Sequence, residues 1–228
     1  NEVRRLIEKY EMPVLGYTPE HNAYPYNYMI GSEAQRRDAI DYLKLSLEMA
    51  KEMGAEFVLT SPANGGYLAT YDQLWSRLEK NIQELGDYAA KLEIKLVVEA
   101  LTPYESNFFT RANDLVELFR RVDNPYVVGM CDIVPPFVQH ESIMAYFDKL
   151  GNKMDHMHII DGENGSDTHL IPGEGNIPIK EMLYEMKRIG YDKTATLELV
   201  TNYINEPRFY AKRAIDNMRE LMAEAGIV

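Results

Sequence analysis

A strand, a long helix and a second strand follow each other between residues 57 and 99. The stretch opens with Phe57-Val-Leu-Thr-Ser61, continues with Thr70-Tyr-Asp-Gln73 at the start of an amphipathic segment, and closes with Lys95-Leu-Val-Val-Glu99. Both strand segments are almost continuously apolar, as is typical of parallel strands that are buried on both faces. Parallel strands need a crossover connection, so this stretch predicts one right-handed β-α-β unit.

The same alternation extends in both directions along the chain. Further apolar or β-branched runs predict strands at Pro13–Tyr17, Val127–Asp132, His156–Asp161 and Thr194–Val200. Two of the helices open with capping boxes, in which a Ser or Thr is followed three residues later by Gln. The predicted helices are Ser32–Met53, Thr70–Lys91, Arg111–Arg121, Ser142–Leu150, Ile179–Ile189 and Pro207–Ala225.

Two architectures are built from such β-α repeats. A doubly wound sheet usually carries a Gly-rich phosphate loop after its first strand, and Pro172-Gly-Glu-Gly175 lacks that spacing. The α/β TIM (β/α)8 barrel fits the repeat better, although only six of its strands are visible. We predict a single TIM-barrel domain over residues 1–228. Because Val3–Tyr10 resembles the end of a helix, we expect this domain to be incomplete at its N-terminus, lacking the first one and a half to two β-α units.

The composition narrows the classes of partner. The 228 residues include 24 Lys and Arg against 36 Asp and Glu, a net charge of −12, and they contain no basic run. This balance disfavours nucleic acid and anionic membranes. Apolar runs of about five residues are too short for a transmembrane helix, and no signal peptide is visible. The single cysteine, Cys131, excludes an internal disulfide and favours a cytoplasmic protein.

Four successive predicted strands end in residues that can bind a metal. They are Glu99, Asp132, His158 and Glu198. In a TIM barrel the active site lies at the carboxyl ends of the strands. One such carboxylate alone often caps a helix or pairs with an arginine. Four residues together favour a divalent cation with open positions for substrate oxygens.

Two histidines lie on one predicted strand. His156 and His158 point to the same side because side chains alternate along a strand. Only the histidine nearer the carboxyl end can reach a metal. We therefore predict that His158 is the ligand and that His156 is buried and hydrogen-bonded.

Three loops carry further candidates. Glu105, six residues after Glu99, is placed to bind a substrate hydroxyl or to remain a solvated acid. The long loop 161–175 contains His169, a substrate or metal residue, and glycines that favour a tight turn. The tyrosine-rich segment 16–29 resembles a sugar-binding wall, but a packed loop or a subunit contact explains it equally well.

Longer strings carry a more specific signal. They are Gly16-Tyr-Thr-Pro-Glu20, Ala23-Tyr-Pro-Tyr-Asn27, Leu101-Thr-Pro-Tyr-Glu-Ser-Asn107, Tyr146-Phe-Asp-Lys-Leu-Gly151, Ser166-Asp-Thr-His169, Ile171-Pro-Gly-Glu-Gly175, Glu198-Leu-Val200 and Asn205-Glu-Pro-Arg208. The chain resembles the sugar isomerase/epimerase superfamily of TIM barrels, which includes xylose isomerase-like and D-tagatose 3-epimerase-like enzymes. Within it, the strings are most similar to the fructoselysine 3-epimerase group, over essentially the whole chain.

The resemblance implies an isomerase that epimerises a ketose at C3 through a cis-enediolate. It implies one divalent metal (Mn, Co, Mg, Ni or Zn), no organic cofactor, and the four ligands named above. Glu99 and Glu198 would also act as acid and base on opposite faces of the sugar. The residues expected to contact substrate are Glu105, His169, Tyr17 and Tyr104. The implied partner is a small sugar, and we expect a homo-oligomer.

Two positions depart from the pattern of the related enzymes. Pro135 stands where related epimerases and AP endonucleases carry a histidine, and Asn164 stands where epimerases of free ketoses usually carry an arginine. The second departure favours a substituted ketose such as fructoselysine over free fructose or psicose.

Three other readings remain open. An aldose–ketose isomerase would use the same scaffold and metal. An AP endonuclease would need a histidine cluster, which Pro135 and the histidine-free segment 61–66 disfavour. A non-catalytic interaction module would keep the fold and bind no metal.

Overall fold

The computed structural model describes residues 2–163 and 165–227, with only the backbone of residue 201. Asn164, one of the two departures noted above, lies outside the described residues. The chain divides into two compact units, residues 1–129 and 130–228, and each is described by itself.

A parallel sheet forms the centre of the first unit. Its strands are β1 (Gly16–Tyr17), β2 (Phe57–Thr60), β3 (Lys95–Val98) and the start of β4 (Val127–Asp132). They lie side by side in the order of the chain, with Phe57 next to Gly16 on one side and to Lys95 on the other. The helices of this unit are α1 (Glu2–Tyr10), α2 (Glu33–Met53), α3 (Tyr71–Leu92) and α4 (Ala112–Arg121).

Both predicted capping boxes are confirmed. Ser32 accepts a hydrogen bond from the Gln35 amide and Thr70 accepts one from the Gln73 amide, while each glutamine side chain reaches back to the capping residue. Gly54 ends α2 in the left-handed conformation, with φ 79°. These local bonds fix where α2 and α3 begin, because they satisfy amide groups that a helix start leaves open.

The core of the first unit lies between the sheet and the long helices. Leu43 and Leu47 on α2 and Leu78, Ile82 and Leu85 on α3 are 0% exposed. Their spacing of three or four residues places them on one face of each helix. Burial of such a side chain stabilises the fold by roughly 1.5–3 kcal/mol.

The second unit contains the end of β4, β5 (Met154–Ile159) and β6 (Thr194–Leu197). Its helices are α5 (Val134–Val138), α6 (Met144–Leu150), α7 (Ile179–Ile189) and α8 (Pro207–Glu224). Strands β5 and β6 pair in parallel, with His156 opposite Thr194 and His158 opposite Thr196. The amide of Ile133 donates to the carbonyl of His158 (3.4 Å), so the residue after β4 lies beside β5.

Some predicted element boundaries were wrong. The first strand is only Gly16–Tyr17, because Pro13 has no N–H to donate to a ladder. The last strand ends at Leu197, and the fifth runs from Met154 to Ile159. Helix α5 was missed because Pro135 and Pro136 suggest a loop. Both prolines lie in its first turn, where amide groups have no partner within the helix.

None of the described helices combines the length and the apolar character that a membrane-crossing segment requires.

Candidate active site

Four ligand-type side chains come together in the second unit. Asp132 ends β4, His158 lies near the end of β5, His169 lies on the loop after β5, and Glu198 follows β6. His158 Nδ1 lies 3.2 Å from Glu198 Oε2 and 3.9 Å from Asp132 Oδ2. His169 Nε2 lies 3.4 Å and 3.7 Å from the same two oxygens. Two imidazoles therefore converge on one pair of carboxylate oxygens.

The spacing of these atoms fits a divalent cation. One ligand atom each from Asp132, His169 and Glu198 lies within 4.8 Å of the other two. Atoms that bind one ion at roughly 2.1 Å lie about 3–4 Å from each other, as the four distances above do. Imidazole nitrogens and carboxylate oxygens together suit ions such as Mn²⁺, Co²⁺ or Zn²⁺. The residues present thus fit the metal that the resemblance implies.

The charges of the cluster also favour a cation. Burial lowers the pKa of His169, but the carboxylates of Asp132, Asp167 and Glu198 outweigh it and raise that pKa to about 12. Burial raises the pKa of Glu198, yet the rings of His158 and His169 outweigh it and hold that pKa below its usual range. A cluster with this much negative charge is neutralised either by imidazole protons or by a metal ion.

The two oxygens of Asp132 have different partners. Oδ1 accepts a hydrogen bond from the amide of Val134 (2.7 Å) at the start of α5, and Oδ2 faces His158 and His169. The hydrogen bond from the Val134 amide holds the carboxylate in the orientation that directs Oδ2 toward the imidazoles. The contact with the first amide of α5 and the ligand-type position are thus divided between the two oxygens of one side chain.

His156 is buried and hydrogen-bonded, as predicted. It is 1% exposed, and its ring nitrogens contact the hydroxyl oxygens of Thr194 (2.7 Å) and Thr196 (3.1 Å). Burial and the neighbouring His158 lower the pKa of His156 to about 4, so the ring stays neutral at physiological pH. This histidine therefore connects β5 to β6 through its side chain.

Asp161 organises the loop that carries His169. Its carboxylate is 1% exposed and accepts hydrogen bonds from the amides of Gly162, Gly173, Gly175 and Ile177, at 2.8–2.9 Å. A side chain at Gly175 would meet the carbonyl oxygen of Gly162 at 2.4 Å. Gly173 has φ 87°, which confirms the predicted tight turn. Asp161 and Leu170 also exchange two backbone hydrogen bonds, which close the loop around His169.

The remaining carboxylate of the predicted ligand set lies in the first unit. Glu99 follows β3 directly, is 6% exposed, and donates its amide to the carbonyl of Thr60 (3.0 Å). Its side chain lies near the imidazole of His21 and acts to raise the pKa of that ring. Its role as a metal ligand stays a prediction.

The predicted substrate residues of the first unit differ in exposure. Glu105 is half-buried, and its Oε2 accepts from the amide (3.2 Å) and the hydroxyl (2.9 Å) of Thr102, which folds the loop after Glu99. Tyr104 is 69% exposed. Tyr17 is half-buried, and its phenol adds to the burial that raises the pKa of Tyr42 on α2. Their contact with substrate stays a prediction.

Two polar residues were not singled out from the sequence. Asp161 followed by glycine, with Gly173 and Gly175 downstream, is a signal for a carboxylate that binds loop amides. His21 lies within the tyrosine-rich segment and is 5% exposed, and nothing in its sequence context indicates burial.

Comparison with known proteins identifies the family. The family model described as a xylose isomerase-like TIM barrel matches residues 1–221. The chain belongs to this family. The predicted fold class and the predicted resemblance are therefore confirmed.

Named relatives include carbohydrate epimerases of the isomerase class, the enzyme class predicted from the sequence. Fructoselysine 3-epimerase from Shigella flexneri is 47% identical over 223 residues, which are 98% of this chain and 81% of that protein. A crystal structure of a D-tagatose 3-epimerase-like protein has a TM-score of 0.80 at 21% identity, covering 99% of this chain and 82% of its own. The IOLI protein with a bound zinc atom has a TM-score of 0.77 at 19% identity, with 99% and 81% covered. These two structural likenesses show the fold.

Proposed function

We propose that the protein is a metal-dependent ketose 3-epimerase that acts on fructoselysine or a similar substituted ketose. The convergence of His158 and His169 on the oxygens of Asp132 and Glu198 carries this proposal, because such a cluster at the ends of parallel strands is suited to a divalent cation. The choice of substrate rests on the 47% identity with the relative named fructoselysine 3-epimerase.

Asp132, His158 and Glu198 would hold the ion, and we propose Glu99 as a fourth ligand because it occupies the corresponding place after β3. His169 is a further ligand candidate, since Asp167 Oδ1 lies 3.0 Å from its Nδ1 and orients its Nε2 toward the cluster. A divalent ion bound here would supply a Lewis acid that stabilises negative charge on the substrate oxygens.

The two glutamates would perform the proton transfers. One carboxylate removes the proton from C3, and the electron pair of that C–H bond moves toward the C2 carbonyl to give a cis-enediolate. The other carboxylate then returns a proton to C3 from the opposite face, and the carbonyl forms again. We propose Glu198 and Glu99 for these roles. His158, 3.2 Å from Glu198, holds that carboxylate in place.

Substrate contacts are proposed for Glu105, His169, Tyr17 and Tyr104. A substituted ketose such as fructoselysine carries an ammonium group on its tail, which acidic side chains and aromatic faces favour. Tyr104 is exposed and adjacent to Glu105 in the chain, so this pair offers both kinds of contact. Cytoplasmic location and assembly into a homo-oligomer remain predictions.

The experiment is to incubate the metal-loaded protein with fructoselysine in D₂O and to follow C3 by proton NMR. Epimerisation incorporates deuterium at C3 and produces the C3 epimer. An aldose–ketose isomerase would instead yield an aldose and exchange hydrogen at C1 or C2. Absence of C3 exchange with fructoselysine and with free ketoses, in protein shown to contain metal, would contradict the proposal.

The matched variants are Glu198→Gln and Glu206→Gln. Both alter a glutamate that follows β6, but Glu206 is exposed. We expect Glu198→Gln to lower kcat by at least about 10²-fold, the typical contribution of a general acid or base, and Glu206→Gln to leave kcat unchanged. Metal content measured by mass spectrometry separates a lost base from a lost ligand.

A further inference from the structure

The imidazole of His21 is buried in the first unit, and one of its ring nitrogens has no hydrogen-bond partner among the described residues. The side chain is 5% exposed on the loop that follows β1. Its Nδ1 lies 2.7 Å from the carbonyl oxygen of Pro19, a pure acceptor, so Nδ1 carries the ring proton and donates it. Its Nε2 has no hydrogen-bond partner among residues 2–163 and 165–227.

This arrangement makes Nε2 a hydrogen-bond acceptor. A neutral imidazole that donates from Nδ1 presents a lone pair on Nε2. The ring is 5% exposed, and burial favours its neutral form. A buried acceptor without a partner costs free energy, so such groups usually have a ligand or water as their partner.

The surroundings of His21 place it at the carboxyl ends of the strands. Glu99, which follows β3, acts on its ring electrostatically. The next residue, Asn22, accepts a hydrogen bond from the hydroxyl of Ser61 (2.9 Å), which follows β2. The histidine is thus held beside the ends of β2 and β3, on the side of the sheet where a TIM barrel binds its substrate.

We propose that His21 Nε2 accepts a hydrogen bond from a hydroxyl group of the substrate sugar. This inference rests on the proposed function and adds a substrate-binding residue to it. A sugar hydroxyl is a suitable donor because it can rotate its hydrogen toward the lone pair and accept from another group at the same time. A hydrogen bond of this kind makes His21 a determinant of substrate affinity, without a part in proton transfer.

Two substitutions separate the two ring nitrogens. In His21→Asn, the short amide can still donate to the Pro19 carbonyl but cannot reach the position of Nε2. In His21→Gln, the longer side chain can place its amide oxygen, an acceptor, near the position of Nε2. Both are made in the wild-type chain, which is the reference, and affinity is measured by titration calorimetry on the metal-loaded protein. The titrant is fructoselysine already brought to its C3 epimerisation equilibrium, so that turnover adds no heat.

We expect His21→Asn to weaken fructoselysine binding about 10-fold, equivalent to about 1.4 kcal/mol, and His21→Gln to stay within about threefold of the reference. Metal content and melting temperature should match the reference in both variants. Equal affinity in all three proteins would show that water occupies Nε2 and would overturn the inference. Equal losses in both variants, or no fructoselysine binding by the reference protein, would also overturn it.

The outcome is separable from that of the proposed function. If the wild-type chain binds fructoselysine through His21 but exchanges no hydrogen at C3, the epimerase proposal fails while this inference stands. If C3 exchange occurs and His21→Asn binds fructoselysine with normal affinity, this inference fails while the epimerase proposal stands. Sugar analogues that lack one hydroxyl then identify the donor, since the correct analogue binds the reference and His21→Asn equally.

Discussion

Two loops of the molecule follow strands and carry candidate site histidines, yet they are held in different ways. The β1 loop (residues 18–31) contains His21, and the β5 loop (residues 160–178) contains His169. In the β5 loop one buried carboxylate, Asp161, accepts four amide hydrogen bonds. In the β1 loop the bonds are divided between the exposed carboxylate of Glu20 and the buried amide of Asn27.

The difference shows how much a single anchor determines. A buried charge has to keep its hydrogen bonds, so the β5 loop depends strongly on Asp161. In the β1 loop the hydrogen bonds are divided between a solvated carboxylate and a neutral amide. We therefore expect this loop to tolerate the loss of either side chain. We therefore expect substitutions in the β5 loop to affect stability and metal binding together, and substitutions in the β1 loop to have smaller and separate effects.

The largest effect is expected for Asp161→Ala. Four amides would lose their acceptor, and hydrogen bonds to charged groups contribute about 1.5–3 kcal/mol each before relaxation. We expect the free energy of unfolding in urea to fall by at least about 3 kcal/mol and metal affinity to fall with it. Glu163→Gln, at an exposed position of the same loop, is the control and should match the wild type. A stable Asp161→Ala protein would show that the loop has other anchors.

Gly175→Ala tests the packing around the same anchor. The added carbon would lie 2.4 Å from the carbonyl oxygen of Gly162 and 2.5 Å from Asp161 Oδ1, so the loop has to move. We expect a loss of about 1–3 kcal/mol, typical of overpacking, measured by thermal and urea unfolding. The control is Gly162→Ala, whose nearest new neighbour is a side-chain atom of Phe137 at 3.5 Å. Equal stability of the two variants contradicts the close approach.

Asn27→Ala tests the neutral anchor of the β1 loop. Its carbonyl oxygen accepts from the amide of Met29 (2.8 Å), and its amide donates to the carbonyls of Asn22 (3.3 Å) and Asn64 (3.1 Å). We expect a loss of about 1–2 kcal/mol of unfolding free energy and unchanged metal content, since neutral hydrogen bonds contribute about 1 kcal/mol each. Tyr24→Phe, at an exposed position of the same loop, serves as the control. A loss of metal with Asn27→Ala would remove the contrast between the loops.

The smallest effect is expected for Glu20→Gln. Glu20 Oε1 accepts from the amides of Asn22 (2.8 Å) and Ala23 (3.0 Å). The Ala23 amide is the main cause of its lowered pKa. Its contribution to stability is therefore present above the ordinary value of 4.5 and lost as pH falls through the lower folded value. Because the group is exposed, we expect less than about 1 kcal/mol at pH 7. Stability curves of the two proteins should converge in acid, and a constant difference would exclude a charge effect.

The fold could be predicted because its signals are local. Capping boxes at Ser32 and Thr70 and glycines at positions 54 and 190 fix helix boundaries through neighbouring atoms alone. Helix α5 was not predicted because prolines usually interrupt helices. Its two prolines lie in the first turn, where the missing amide hydrogens would have no partner within the helix. The lengths of β1 and β6 were overestimated, since a strand exists only where a partner strand pairs with it.

The candidate site could be predicted in part. Asp132, His158 and Glu198 follow from their places at strand ends, and the structure brings these three together. His169 was placed on a loop with an open role, because loop conformation depends on Asp161 and on amides up to 16 residues away. His21 was missed because its burial depends on contacts that the sequence pattern does not encode.

The contacts of His156 with two threonine hydroxyls have a consequence for the register between β5 and β6. The ring contacts Thr194 and Thr196, which lie on the same side of β6, so a slip by one residue would turn both hydroxyls away. The pairing of β5 with β6 is thereby locked, and with it the offset between His158 and Glu198. A change in the length of the connection between the β5 loop and β6 would therefore leave the positions of His158 and Glu198 relative to each other unchanged.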